Sequence, residues 1–307
     1  MEYRDYSDIR ELVGDEQLQH MLYIDRDFDD LFGLVADDFL TIDPSIRVPF
    51  FAEIRDYRGA SVKGDPADRW IVKPLKDEDV LPAQMAAVCF FLDFYAHTLS
   101  APIVTTRIGK TLYKATKLIT RSEQLSGANY TEHRQLKEQL LLDAVNRWIY
   151  FDEDRNPNNY MIVYNSKNEE ILVAIDFANV DLLAGEMKVK GTPRRFGWER
   201  KEKTRYLTPL KAENFLEYDI GFFEQRFGFF KKMSTRLITE TCEAVLRYNP
   251  DRKKLSRLIA GNILARTDYL HGYFTSHLGK STTGKKAKQS KYREMGKTFE
   301  RMYGDTA

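Results

Sequence analysis

The sequence predicts an α+β fold of two lobes, a small β-rich N-terminal lobe followed by a larger, mainly helical C-terminal lobe. Three observations carry that expectation. A chain of 307 residues is long enough for one large domain or two lobes with sizeable cores. Short β-rich runs punctuated by Gly and Pro recur up to Gly127. Beyond about Leu216, apolar residues recur at helical spacing.

Taken in order, FFAEI (Phe50 to Ile54) and RWIVK (Arg69 to Lys73) read as strands, separated by a loop, DYRGASVKGDPAD, that holds Gly59, Gly64 and Pro66. Pro82 opens a helix, PAQMAAVCFFLDFYAHTL. PIVTTRI and TLYKATKLI are two further strands, and Ser126 and Gly127 close the first lobe. Leu136, Leu140, Leu141, Ala144, Val145, Trp148 and Ile149 share one face of a helix over 131–149. YMIVY and ILVAIDF, joined by NSKNE, form a hairpin that turns near Lys167 and Asn168. Phe222 to Phe230 and Met233 to Leu246 are helical, their aromatics filling the second lobe's core. The expected divisions are an acidic extension at 1–45, lobes at 46–127 and 128–278, and a basic tail at 279–307.

Composition narrows the function. Hydrophobic residues make up 43%, charged residues 30% and aromatics 13%, as in ordinary folded chains. No apolar run is long enough for a membrane span, and the acidic start lacks the pattern of a signal peptide, so the expected location is cytoplasmic. Cys89 and Cys242 sit in apolar helical patterns and read as core thiols, which argues against a disulfide scaffold or a cysteine zinc site. Residues 1–50 carry 13 acids against 4 bases, whereas residues 279–307 carry 8 bases against 3 acids. The tail is either a solvated terminus or a contact for nucleic acid or another anionic surface.

The chemistry concentrates in FDEDRNPNNYMIV. Asp152, Asp154 and Asn156 match positions one, three and five of a calcium loop, but the required glycine and glutamate are Pro157 and Val163. GKT at Gly109 lacks the glycine of a phosphate-binding P-loop, since Val104 occupies that place. The five histidines show no metal-ligand spacing. What remains is an acid and an asparagine five residues apart, Asp154 and Asn159, ahead of a hairpin that ends in another acid, Asp176. Antiparallel pairing predicts that Asn159 and Asp176 face each other, two oxygen ligands for one Mg2+. Asp154 would orient or deprotonate an acceptor hydroxyl, and Arg155 would contact phosphate or fix the loop. Lys73 suits the cation over the phosphates of ATP, and GASVKGD offers backbone N–H groups, the Ser61 hydroxyl and Lys63 as a flap.

GASVKGDPADRWIVKPL, DEDRNPNNYMIV and AIDF, in this order, resemble the HipA-like kinases, and phosphoinositide 3- and 4-kinases share the DRxxxN pattern. The resemblance spans Phe50 to Phe177. It implies a protein-kinase-like fold in which Gly59, Ala60, Ser61 and Lys63 form the phosphate loop, Lys73 is the ATP lysine, Asp154 the catalytic aspartate, and Asn159 and Asp176 the magnesium ligands. Asn156 stands where related kinases have histidine, and Phe177-Ala178 where they have phenylalanine-glycine. Glu78, Gln84 and Asp93 are the candidates for the partner of Lys73.

The segment EMKVKGTPRRFGWERKEKTRY (Glu186 to Tyr206), with eight bases against three acids, would border the site and favour an anionic acceptor. The expected activity is Mg-ATP-dependent transfer to a Ser or Thr of a protein, and the resemblance implies an antitoxin-like or other regulatory partner. The alternatives are a lipid or small-molecule kinase and a pseudokinase acting as a nucleotide-binding module.

Overall fold

The computed structural model describes residues 15, 17–18, 36–48, 56–152, 154–185, 209–210, 214–215 and 217–278. FFAEI, the charged segment at 186–206 and the basic tail lie outside them. Five antiparallel strands form the first sheet: β1 (Leu40–Ile42), β2 (Arg58–Val62), β3 (Asp65–Pro74), β4 (Ile103–Ile108) and β5 (Thr111–Lys117), in the order β1-β2-β3-β5-β4. Alternation along the strands separates its faces. Trp70 and Val72 of β3, and Tyr113 and Ala115 of β5, are buried. Ile71, Lys73 and Lys114 take the opposite face and are half-buried.

The stretch expected as a loop, DYRGASVKGDPAD, is mostly strand. Lys63 and Gly64 make a two-residue turn between β2 and β3, with Gly64 at φ +84°, a conformation that glycine adopts freely. Gly59 lies inside β2 for another reason. A Cβ there would sit 2.5 Å from Ile46 Cβ and 2.6 Å from the Ile46 carbonyl oxygen. The glycine therefore marks close approach of the chain after β1, which composition alone cannot tell from a loop. Gly59→Ala is expected to cost about 1–3 kcal/mol through overpacking. An unchanged urea midpoint would show that Ile46 yields freely.

Between β3 and β4 runs α1 (Asp77–Tyr95), which starts ahead of Pro82 and contains it. Asp77, Glu78 and Asp79 occupy its first turn, where their charge complements the helix dipole. The remaining elements are β6 (Glu123–Gln124), α2 (Arg134–Ile149), β7 (Tyr160–Tyr164), β8 (Glu170–Ala174), α3 (Ile220–Lys232), α4 (Thr235–Val245) and α5 (Arg252–Leu278). Strands β6, β7 and β8 form a second sheet in that order. Helical spacing aims Phe223, Phe227 and Phe230 of α3 inward, all fully buried, and Phe223 meets Phe274 of α5 edge to face at 4.9 Å. Both cysteines are buried and free, as expected of core thiols.

Buried polar groups join α1 to the helical half. Arg147 of α2 pairs with Asp93 of α1 and, at 3.0 Å, with Asp143. Asn146 Nδ2 and the Tyr150 hydroxyl donate to Asp93 at 2.8 and 3.0 Å. The Tyr160 hydroxyl donates to Asp143 at 2.7 Å, so the network reaches β7. Arg226 of α3 donates to the Ala96 carbonyl at 2.9 Å, and Gln84 Nε2 donates to that of Val245 at 3.2 Å. Burial opposes the Arg147 charge, yet Asp143 and Asp93 hold its pKa well above the ordinary arginine value. The acidic N-terminal region also meets its own chain: the Ser166 amide donates to Asp15 at 2.8 Å, and Gln17 donates to the Tyr164 carbonyl at 2.7 Å.

Candidate active site

The site is built on the hairpin of β7 and β8. Tyr160 pairs with Ala174, and the Ile175 amide donates to the Asn159 carbonyl at 3.0 Å, so the ladder extends one residue beyond the strands. Asn159 thus stands opposite Ile175, with Asp176 the next residue along. Asp176 adopts φ +54°, a left-handed conformation that aspartate tolerates better than most residues and that turns the chain away from the ladder.

Asp154 lies on the loop between α2 and the one-turn 3-10 helix Pro157–Asn159. Both of its carboxylate oxygens are engaged: Asn156 Nδ2 donates to one at 2.9 Å and Asn179 Nδ2 to the other at 3.1 Å. The two amides fix the carboxylate plane while the residue stays partly exposed. Asn159 Nδ2 donates to the Asp154 carbonyl at 2.6 Å, which leaves Asn159 Oδ1 without a donor among the described residues. That oxygen and the half-exposed Asp176 carboxylate are a hard-oxygen pair that fits magnesium, which usually takes one or two protein ligands and fills its octahedron with water and phosphate. Among the described residues no group of three His, Cys, Asp or Glu offers a fuller protein cage.

Arg155 does not reach toward a phosphate. It is fully buried, with Nε 2.9 Å from Asp152, and it donates to the Ile175 carbonyl at 3.2 Å and to the Asp176 carbonyl. Phe177 and Tyr160 flank the guanidinium at 5.4 Å each. Of the two roles expected for it, the geometry supports fixing the loop. Burial pushes the Asp152 carboxyl above the usual carboxylate range even beside Arg155. Burial also opposes the Arg155 charge, but Asp152 keeps the arginine pKa above its ordinary value.

The expected phosphate flap is not gathered at this site. Gly59, Ala60 and Ser61 lie within β2, with Ala60 and Ser61 buried. Lys63 sits at the turn that begins β3 and Lys73 near that strand's other end, a separation of roughly 30 Å at the rise of an extended strand. The two lysines therefore cannot share one triphosphate. The Lys73 side chain makes no hydrogen bond or ion pair with the described residues. None of its candidate partners serves: Asp93 pairs with Arg147, Gln84 is turned to Val245, and Glu78 is exposed in the first turn of α1.

Lys114 is the residue that sequence reasoning missed. It faces Lys73 directly across the β3–β5 ladder, and its Nζ lies 3.7 Å from Asp176 Oδ1. The alternation in TLYKATK places Lys114 on the face opposite Tyr113 and Ala115, but its cross-strand neighbour depends on the sheet order, which local pattern does not encode. The contact also shows that this face of the first sheet looks onto the end of the hairpin.

No family model matches the chain, and no curated protein matches it. Among solved structures, the Helicobacter pylori proinflammatory kinase CtkA aligns with 79% of this chain and 99% of its own, at a TM-score of 0.54 and 12% identity. The chain has a kinase-like fold. HipA from Shewanella oneidensis MR-1, solved in a complex with HipB and operator DNA, aligns with 69% of this chain and 61% of its own, at a TM-score of 0.38 and 10% identity. Within the kinase-like fold, Asp154, Asn159, Asp176 and Lys114 converge at the end of β7 and β8, while Lys63 and Gly64 stand apart.

Proposed function

We propose that the chain is a kinase that transfers the γ-phosphate of ATP, with Mg2+, to a Ser or Thr hydroxyl of a protein. The observation that carries this reading is the gathering of Asp154, Asn159 and Asp176 at one end of a hairpin, faced by a lysine from the other sheet. Asn159 Oδ1 and the Asp176 carboxylate would hold magnesium, which supplies positive charge to the phosphate oxygens. Asp154 would orient the acceptor hydroxyl and receive its proton as the new O–P bond forms and ADP leaves. Arg155 would set the hairpin end by holding the carbonyls of Ile175 and Asp176. Lys73 would face the phosphates from β3.

Radiolabelled transfer from ATP tests the reaction, and a thermal shift with ATP and magnesium tests binding. Asp176→Ala is expected to abolish the magnesium-dependent part of the ATP shift. A shift as large and as magnesium-dependent as that of the wild type would remove Asp176 from the metal site. That Lys73 has no carboxylate partner among the described residues supports a second reading, a pseudokinase that binds nucleotide without turnover. Binding with no transfer to any protein, lipid or small-molecule acceptor would favour it.

A further inference from the structure

We propose that Lys114 is a second phosphate-binding ammonium, which acts with Lys73 on the polyphosphate of a nucleotide; this rests on the kinase reading above. The two residues are directly opposite in the β3–β5 ladder, so their Cβ atoms stand roughly 5 Å apart on one face. Neither can turn inward, because Val72 beside Lys73, and Tyr113 and Ala115 on either side of Lys114, fill the other face. Only 13% of the Lys114 side chain is exposed, so its ammonium is directed along the protein and not into bulk water.

Like charges directly opposite one another weaken a sheet unless an anion lies between them. The described residues supply one carboxylate, Asp176, within ion-pair distance of Lys114, and none for Lys73. At ion-pair range, then, two ammonium groups share one carboxylate, and the Asp154 carboxylate is held by Asn156 and Asn179. The ligand that best meets both ammonium groups carries several negative charges in a row, as a di- or triphosphate does. The connection between β1 and β2, residues 43–57, contains no glycine, and the Lys63–Gly64 turn is distant. Two side chains would here supply positive charge of the kind that N–H groups supply where a glycine-rich turn cradles phosphate.

The test uses the whole 307-residue chain and measures affinities for Mg-ATP, Mg-ADP and adenosine by thermal-shift titration. Loss of one charge-assisted contact should weaken Mg-ATP about tenfold or more in Lys114→Met. ADP should weaken less, adenosine should bind as before, and Lys114→Arg should recover most of the loss. Lys110→Met, at the exposed turn between β4 and β5, should match the wild type. The ligand-free midpoint of Lys114→Met should change little, since the substitution removes both the repulsion from Lys73 and the ion pair with Asp176. Wild-type Mg-ATP affinity in Lys114→Met, alongside its loss in Lys73→Met, would overturn the Lys114 assignment and leave the kinase reading standing. Equal weakening of adenosine and ATP, or a lowered ligand-free midpoint, would make Lys114 a structural residue and also overturn it. A wild-type chain that binds no Mg-ATP overturns both.

Discussion

Asp154→Ala is expected to lower phosphoryl transfer by about 10²- to 10⁴-fold, the usual contribution of a positioned general base, while Mg-ATP still raises the thermal midpoint. The carboxylate has no other evident task. It is partly exposed, and its two hydrogen bonds come from Asn156 and Asn179, both on the same loop and hairpin end. Removing it leaves those amides in reach of water, so the fold should tolerate the change. Asp154→Asn is the sharper variant, because it keeps the shape and loses the base. Transfer by either variant at the wild-type rate would take Asp154 out of the mechanism, whereas lost nucleotide binding in both would recast it as a binding residue.

The largest stability effect is expected at Arg147. Its guanidinium is fully buried between Asp93 and Asp143, and it lies 4.7 Å from the Phe177 ring. Arg147→Ala strands two carboxylates in the interior, at a cost of about 3–5 kcal/mol for breaking a buried pair from one side. Urea unfolding measures it directly. The double variant Arg147→Leu with Asp93→Leu should be less harmful than Arg147→Ala alone, because it removes charge from both sides of the contact. A loss below about 1 kcal/mol in the single variant would mean that water reaches the site and that the pair is not desolvated.

Much of the hairpin was legible in the chain. YMIVY and ILVA are apolar enough to demand burial and are separated by residues that turn readily, with Asn168 at φ +60°. Antiparallel geometry then forces Asn159 toward Asp176, one residue off direct register. The long helix over 134–149 followed from its apolar face for the same reason. Local pattern failed where a residue answers to something distant. Gly59 reads locally as a loop residue because its reason, Ile46, comes from the chain after β1. Arg155 carries two readings in the sequence, a phosphate contact or a tie for the loop, because the carbonyls it holds lie some twenty residues onward. Lys114 was hidden because pairing between β3 and β5 spans the whole of α1 and β4.

The burial of Asp93 has a mechanical consequence. A helix anchored only to its own sheet can pivot outward and serve as a lever for switching an enzyme on and off. Here the distal end of α1 is riveted by Arg147, Asn146 and Tyr150, so such a pivot would tear a guanidinium from its counter-ions inside an apolar interior. Rocking of that end of the helix is therefore a costly throttle for this chain.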